Sequence, residues 1–245
     1  MLVHGWTLNC RMWDDQLRVL SARHAIVRYD RRGFGRSTGD PATECDVDDL
    51  DRLLTYLDIP RACVLGMSQG GWAAIYFALD YPSRTSGLIL NAALLPGLNL
   101  PFTGPDRVPS DTYVELARTR GLEAMRQAWM SHPFFDVART MPAVYARFAA
   151  IVADYSGADL ARVKTPLFGD QRDAVHRLSR LDAPTLILIG ERDVPYLKVT
   201  AQAQAYAIPR ATTVMLPGCG HLANMEAPAL YNASIARFLD TIEPA

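Results

Sequence analysis

The sequence predicts an α/β domain in which a mostly parallel sheet carries helices on both faces. Short apolar runs of strand length alternate along the chain with apolar residues at helical spacing. The run at 184–189 is strongly apolar, as is typical of a strand buried in a parallel sheet. Strands that alternate with helices favour a parallel sheet, because each helix returns the chain to the same end of the sheet.

Each element is predicted from a local pattern in the chain. Strands are expected at six short apolar runs, at 1–3, 25–29, 62–65, 86–91, 184–189 and 212–216. Helices are expected where apolar or small residues repeat at helical spacing, around 13–20, 50–57, 71–78, 113–117 and 235–242. The clearest helical pattern has leucines at i, i+3, i+4 and i+7: Leu50, Leu53, Leu54 and Leu57.

The segment 95–182 differs in composition from the rest of the chain. It opens with prolines at positions 96, 101, 105 and 109, and helical patches rich in aromatic residues and methionine follow. We therefore expect residues 1–94 and 183–245 to form the α/β core, and residues 95–182 to form a helical cap inserted after the strand at 86–91. Most cap aromatics should form the cap's own core. Three are candidates for a substrate pocket: Trp129, Phe134 and Phe135.

Charge and hydropathy exclude several classes of partner. The 245 residues include 25 basic and 26 acidic ones, with a formal net charge of −1 and no basic stripe, so nucleic acid is not an expected partner. No apolar run approaches the length of a membrane span, and the first residues lack the pattern of a signal peptide. The cysteines have no paired spacing: Cys10, Cys45, Cys63 and Cys219. Reduced thiols and a cytoplasmic location are therefore expected.

The motif Gly66-x-Ser68-x-Gly70 follows the apolar run at 62–65 and precedes a run of small residues at helical spacing. A serine at a sharp strand-to-helix turn presents its hydroxyl at the end of the sheet, and the tight turn requires glycines around it. The turn also aims the backbone amide of Gln69 at the space above Ser68, where the amide can stabilise an oxyanion. Ser68 is therefore the candidate nucleophile, and a glycine-rich structural turn is the alternative.

Asp193 and His221 are the candidate acid and base, because each lies just beyond the end of a late strand. A serine hydroxyl needs an adjacent base, and an acid must orient the histidine. Among the competing acids, Asp173 and Asp182 precede their strand, and Glu191 lies too early in the turn. The other histidines do not follow a late strand in a glycine turn: His4, His24, His132 and His176.

The stretch His4-Gly5-Trp6 follows the first strand at the same predicted edge of the sheet. Gly5 permits a tight turn, which makes the Trp6 amide the candidate second oxyanion donor and the Trp6 ring a candidate pocket wall. His4 is expected to shape this turn, with general-base catalysis as its alternative role. The loop at 30–37 lacks the spacing of a phosphate-binding loop and is expected to be a structural turn braced by Asp30 and an arginine.

Over essentially its whole length the sequence resembles the α/β-hydrolase superfamily. The matching motifs are His4-Gly5, Asp30-x-Arg32-Gly33-x-Gly35-x-Ser37, Gly66-Met67-Ser68-Gln69-Gly70-Gly71, Gly190-x-x-Asp193 and Gly220-His221. The resemblance is greatest to small capped microbial carboxylesterases, enol-lactonases and carbon–carbon bond hydrolases, and it implies a triad of Ser68, Asp193 and His221. It implies cleavage of a small carboxylic ester or lactone without a metal or cofactor. Carbon–carbon bond hydrolysis of a ring-cleavage product and non-catalytic ligand binding are the alternatives.

Members of this superfamily usually carry an antiparallel hairpin of two strands before the His-Gly strand, whereas this sequence starts at that strand. The hairpin is therefore expected to be absent, either because the translation start was assigned too late or because the protein is naturally short. Its absence would expose the edge of the strand at 25–29. An exposed edge favours pairing with a second copy, so a homodimer is an open alternative. The Trp6 loop would also lie close to the chain terminus, where chains fray.

Overall fold

The computed structural model describes residues 1–42, 45–98, 100, 108–161 and 174–242. These residues form a five-stranded sheet whose strand order follows the chain, and every neighbouring pair of strands is parallel. The strands are β1 (Leu2–Val3), β2 (Ala62–Met67), β3 (Thr85–Asn91), β4 (Thr185–Gly190) and β5 (Ala211–Leu216). The predicted α/β fold class with a parallel sheet is confirmed, and β4 is buried along its whole length as expected.

Helices flank the sheet, with Asp14–Leu20 packed against Pro228–Leu239 and Asp46–Tyr56 against Gln69–Asp80. The α-helices are α1 (Asp14–Leu20), α2 (Asp46–Tyr56), α3 (Gln69–Asp80), α4 (Ser110–Arg120), α5 (Leu122–Met130), α6 (Asp136–Arg139), α7 (Pro142–Val152), α8 (Pro195–Ala207), α9 (Ala223–Glu226) and α10 (Pro228–Leu239). Short 3-10 helices lie at Cys10–Trp13, Pro82–Arg84, Pro133–Phe135, Ala158–Ala161 and Val175–Arg180. None of the described helices combines the length and the apolar character that crossing a membrane requires.

The register of the sheet brings the carboxyl ends of the strands to one edge. Met67, which ends β2, pairs with Asn91, which ends β3, and Asn91 also pairs with Leu188 of β4. Gly190 and Leu216, the last residues of β4 and β5, pair with each other. The turns that follow these strands therefore open on the same edge, which is where parallel sheets form their sites.

The prediction of a regular strand at 25–29 is wrong. The Leu2 amide donates to the Val27 carbonyl oxygen at 2.8 Å, and one isolated parallel bridge joins Leu2 to Arg28. Among the described residues, this single bridge is the only strand pairing that the segment 25–29 makes. The physical reason is the length of the partner: β1 has two residues and offers too few backbone groups for a longer ladder.

The loop at 30–37 is a structural turn braced by Asp30, as the sequence predicts. The Asp30 carboxylate accepts from the Cys10 amide at 2.7 Å and from the Arg36 amide at 2.8 Å. Gly35 has φ +52°, and a Cβ at this position would lie 2.4 Å from an Asp30 carboxylate oxygen. The glycine is therefore required both by its backbone conformation and by the carboxylate packed against it.

The longest described stretch of the predicted cap, residues 108–161, is mostly helical and contains α4 to α7. Polar contacts attach it to the start of the chain: Trp129 Nε1 donates to Thr7 Oγ1 at 2.7 Å, and Arg147 pairs with Asp15 at 2.7 Å. Residues 99, 101–107 and 162–173 of the predicted cap lie outside the described residues. The division of the chain into core and cap stays a prediction.

Candidate active site

Ser68 occupies a strained turn between β2 and α3. Its backbone has φ 52° and ψ −117°, a conformation that residues with a side chain rarely adopt. The Ser68 amide donates to the Asn91 carbonyl oxygen at 3.0 Å, and the Ser68 carbonyl oxygen accepts from the Gly71 amide at 3.0 Å. These bonds hold the strained residue against the end of β3, at the carboxyl edge of the sheet.

Close backbone approaches require the glycines on both sides of Ser68. A Cβ on Gly66 would lie 2.3 Å from the Gly70 carbonyl oxygen. A Cβ on Gly70 would lie 2.4 Å from the His4 carbonyl oxygen, which belongs to the loop after β1. The glycine spacing therefore follows from the packing of this turn, as the motif predicts.

Asp193 and His221 meet at this edge of the sheet. His221 Nδ1 lies 3.2 Å from Asp193 Oδ2, and both side chains are buried. The other Asp193 oxygen, Oδ1, accepts from the Val194 amide at 2.8 Å, which fixes the carboxylate. With the proton assigned to Nδ1, His221 donates to Asp193 and keeps Nε2 unprotonated, as a general base requires. Of the competing acids, Asp173 lies outside the described residues.

His4 is buried, and both of its ring nitrogens are engaged by backbone groups. Nδ1 lies 2.8 Å from the Gly5 carbonyl oxygen, and Nε2 accepts from the Arg31 amide at 2.8 Å. Burial, together with the Arg31 charge, lowers the pKa of His4 to about 3. This geometry favours the turn-shaping role of His4 over the alternative role as a general base.

Two carboxylates support the turn that carries His221. Glu191 accepts from the Gly218 amide at 2.8 Å, and Glu226 accepts from the Gly220 amide at 2.6 Å. Burial raises the pKa of the Glu226 carboxyl. The sequence patterns do not indicate Glu226, whose one local signal is its position in the short helix after His221. The described ranges hold no group of three His, Cys, Asp or Glu side chains that could bind a metal ion.

Hydrogen bonds to ionisable side chains hold the side chains of Gln69 and Trp6, the two candidate oxyanion donors. Arg31 Nη1 donates to Gln69 Oε1 at 2.8 Å, and the Arg31 guanidinium forms a buried ion pair with Asp46. Trp6 Nε1 donates to Asp159 Oδ2 at 2.7 Å. No sequence pattern predicts the Arg31–Gln69 and Trp6–Asp159 hydrogen bonds, because each joins residues far apart in the chain. The first bond restrains Gln69 and the second restrains Trp6, the two residues whose backbone amides are the candidate oxyanion donors.

A small cavity brings most of the candidate residues together. The cavity volume open to the centre of a water molecule is about 10 Å³, which is room for about one water. Ser68 and His221 line it together with Gly5, Trp6, Leu8, Met67, Leu94, Val108, Trp129 and Phe135. Three of the four predicted substrate-binding residues therefore line the cavity. Phe134 does not, and it packs against the His221 ring instead, with ring centres 4.5 Å apart.

The sequence patterns missed three aliphatic residues of the cavity wall: Leu8, Leu94 and Val108. A single aliphatic residue in a loop carries no signal that separates a pocket wall from the general core. Leu94 has a positional signal, because it follows β3 by three residues at the edge where Ser68 lies. A position just after a strand therefore predicts a residue of this cavity wall better than the amino-acid type does.

The strain at Ser68 makes a testable prediction about stability. We expect Ser68→Gly to be more stable than Ser68→Ala by about 1 kcal/mol, because glycine adopts this backbone conformation without steric cost. For a chain of this size the difference corresponds to a higher melting temperature by about 2–4 °C. Thermal unfolding of the two variants compares them directly, since both lack the hydroxyl. Equal or lower stability of the glycine variant would contradict the strained geometry.

Comparison with known proteins places the whole chain in one family. The family model described as "Alpha/beta hydrolase family" matches residues 1–234. A non-heme chloroperoxidase of Streptomyces lividans is 30% identical over 250 residues, which are 96% of this chain and 89% of that protein. The 3-oxoadipate enol-lactonase 2 of Acinetobacter baylyi is 25% identical over 236 residues, which are 93% of this chain and 83% of that protein.

A solved structure agrees with these sequence matches. The thermophilic esterase from Thermogutta terrifontis is 28% identical, and it superposes with a TM-score of 0.83 over 98% of this chain and 88% of its own. The parallel sheet, the strained serine between β2 and α3, and the family match over residues 1–234 all lead to one assignment. The chain belongs to the alpha/beta hydrolase family.

Proposed function

We propose that this protein is a serine hydrolase that cleaves a small carboxylic ester or lactone through an acyl-enzyme. The observation that carries the proposal is the convergence of Ser68, Asp193 and His221, with His221 bonded to Asp193 and sharing a cavity with Ser68. The names of two relatives, an esterase and an enol-lactonase, support the substrate class. The proposed reaction needs no metal or cofactor, because a serine and a water molecule are its two nucleophiles.

In the acylation step, Ser68 Oγ attacks the ester carbonyl carbon while His221 Nε2 takes the hydroxyl proton. Asp193 stabilises the resulting imidazolium through its bond to Nδ1. The backbone amides of Trp6 and Gln69 are assigned to the oxyanion of the tetrahedral intermediate, and the N-terminal end of α3 adds a favourable dipole. The alcohol then leaves with the proton from His221, and the acyl group stays on Ser68.

In the deacylation step, a water molecule attacks the acyl-enzyme with His221 again as the general base. The attack forms a second tetrahedral intermediate, and its collapse releases the carboxylic acid and restores the Ser68 hydroxyl. For a lactone the alcohol and the acid are parts of one product, because the bond that breaks closes a ring. The same residues therefore serve both kinds of substrate.

We also propose that residues 95–182 act as a cap over this site. The support is the position of Val108, Trp129 and Phe135, which belong to this segment and line the same cavity as Ser68 and His221. These walls are apolar, so they suit an acyl chain or an uncharged ring better than a charged group. The substrate class assigned here is accordingly a small and largely apolar ester or lactone.

A substrate panel tests the proposal. It contains p-nitrophenyl esters of two- to eight-carbon acids, γ- and δ-lactones, a ring-cleavage dienone, and a peroxide-dependent chlorination assay, since one relative is a chloroperoxidase. We expect turnover of an ester or a lactone. Turnover of the dienone alone would support carbon–carbon hydrolysis instead. Tight retention of a panel compound without turnover would replace the proposal by the ligand-binding alternative.

A further inference from the structure

Two indole groups attach the loop after β1 to residues 108–161. Trp6 Nε1 donates to Asp159 Oδ2 at 2.7 Å, and Trp129 Nε1 donates to Thr7 Oγ1 at 2.7 Å. Trp6 and Thr7 are neighbours in the chain, so side-chain bonds to residues 108–161 hold two successive residues of this loop, the first of which carries the candidate donor amide. These two residues are therefore restrained by a segment that is distant in the chain.

Asp159 uses both carboxylate oxygens in this attachment. Trp6 donates to Oδ2, and the Tyr155 hydroxyl donates to Oδ1. Burial raises the pKa of the Asp159 carboxyl, and the bonds from Tyr155 and Trp6 oppose that rise. A half-buried carboxylate with a donor on each oxygen has a fixed position, unlike a carboxylate on the protein surface.

The backbone of the loop needs external support. Thr7 has φ +61°, which is rare for a residue with a branched Cβ. The Trp6 side chain is enclosed by the rings of Tyr113, Trp129 and Tyr155, at 4.8 to 5.9 Å between ring centres. A strained conformation of this kind persists only where its surroundings fix it. Asp159 accepts the hydrogen bond from the indole N–H of Trp6 within these surroundings.

We propose that Asp159 is a positioning residue of the oxyanion hole, which holds the Trp6 indole so that the Trp6 backbone amide stays aimed at the oxyanion formed on Ser68. This inference rests on the proposed serine hydrolase function. The amide bond to the substrate oxygen strengthens when that oxygen gains charge, so loss of the anchor should act on the transition state. A defect in kcat with little change in KM is the expected signature.

Three variants test the anchor with the best ester of the panel. We expect Asp159→Ala to lower kcat about 10- to 100-fold with KM within about threefold, because complete loss of one oxyanion donor costs about 10²- to 10³-fold. Trp6→Phe removes the same hydrogen bond but keeps a ring and the backbone amide, so it should give a similar loss. The double variant should be no slower than the slower single variant, because both changes break one interaction.

Asp154 provides the matched control. It lies on the same segment and contacts the same loop through Arg11 and Asn9, and its side chain is about half exposed. We expect Asp154→Ala to change kcat less than twofold. If Asp154→Ala lowered kcat as much as Asp159→Ala, the general attachment of residues 108–161 to the loop after β1 would explain the loss. That result would overturn the specific role of Asp159. If circular dichroism shows that Asp159→Ala does not fold, Trp6→Phe carries the test, because it removes the same hydrogen bond and leaves the carboxylate in place.

The outcomes separate this inference from the proposed function. If the wild-type protein turns over an ester and Asp159→Ala keeps its kcat, the role of Asp159 is overturned and the hydrolase proposal stands. The role of Asp159 is also overturned if Asp159→Ala raises KM without lowering kcat. It is overturned as well if the losses in kcat of Asp159→Ala and Trp6→Phe add up in the double variant. If the wild-type protein turns over no ester or lactone, both proposals fail together.

Discussion

Replacing Ser68 with alanine is expected to lower kcat for the best ester or lactone by about 10⁴-fold or more, because the variant has no group that can form the acyl-enzyme. The fold should survive, since alanine keeps the Cβ and the backbone bonds of Ser68 to Asn91 and Gly71 are unchanged. Initial rates at saturating substrate, together with thermal unfolding of the variant, measure the two effects separately.

Ser86 provides a control for this experiment. It is a buried serine on β3, the strand next to β2, and it lies at the opposite end of that strand from Asn91. We expect Ser86→Ala to keep kcat within about twofold. Unchanged turnover in Ser68→Ala, with an intact fold, would show that ester cleavage does not pass through this serine.

The second large effect is expected from Asp193→Asn, which should lower kcat by about 10⁴-fold. In the native protein His221 Nδ1 lies 3.2 Å from Asp193 Oδ2, and with the proton assigned to Nδ1 this contact keeps Nε2 unprotonated. An asparagine amide can donate to Nδ1 instead, and the imidazole proton then moves to Nε2, where it blocks the base. The geometry is preserved, so KM should change little. Steady-state kinetics with the ester used for Ser68→Ala checks this result.

Glu191→Gln is the matched control, because Glu191 begins the turn that contains Asp193 and bonds to the Gly218 amide. The glutamine keeps an acceptor oxygen for this amide, so we expect kcat to fall less than about fivefold. A loss in Glu191→Gln as large as that in Asp193→Asn would move the acid of the proposed triad from Asp193 to Glu191.

The turn around Ser68 was predictable because its signals are local. Strand, glycine motif and helix follow one another without a break between Ala62 and Asp80. The close contacts in this turn require glycine at positions 66 and 70, so the turn is visible in the sequence as glycine spacing. The meeting of Asp193 and His221 was also predictable, since position after a parallel strand determines which edge a residue reaches. Their catalytic roles remain proposals for the kinetic tests above.

Other features could not be predicted, because they depend on residues that are distant in the chain. The segment 25–29 has the composition of a strand, but its ladder depends on the length of β1, which is two residues. The bond between Trp6 and Asp159 spans 153 positions, and neither residue belongs to a periodic pattern. Phe134 and Phe135 look alike in sequence, yet only Phe135 lines the cavity, whereas Phe134 packs against the His221 ring.

The most direct test of the central claim is labelling with a fluorophosphonate, which reacts only with a serine that is activated by a base and faces an oxyanion hole. Intact mass and peptide mapping give the number and position of the adducts. We predict one adduct, on Ser68, and none in His221→Ala. Absence of an adduct on the folded wild-type protein, or an adduct on another residue, would contradict the proposed triad.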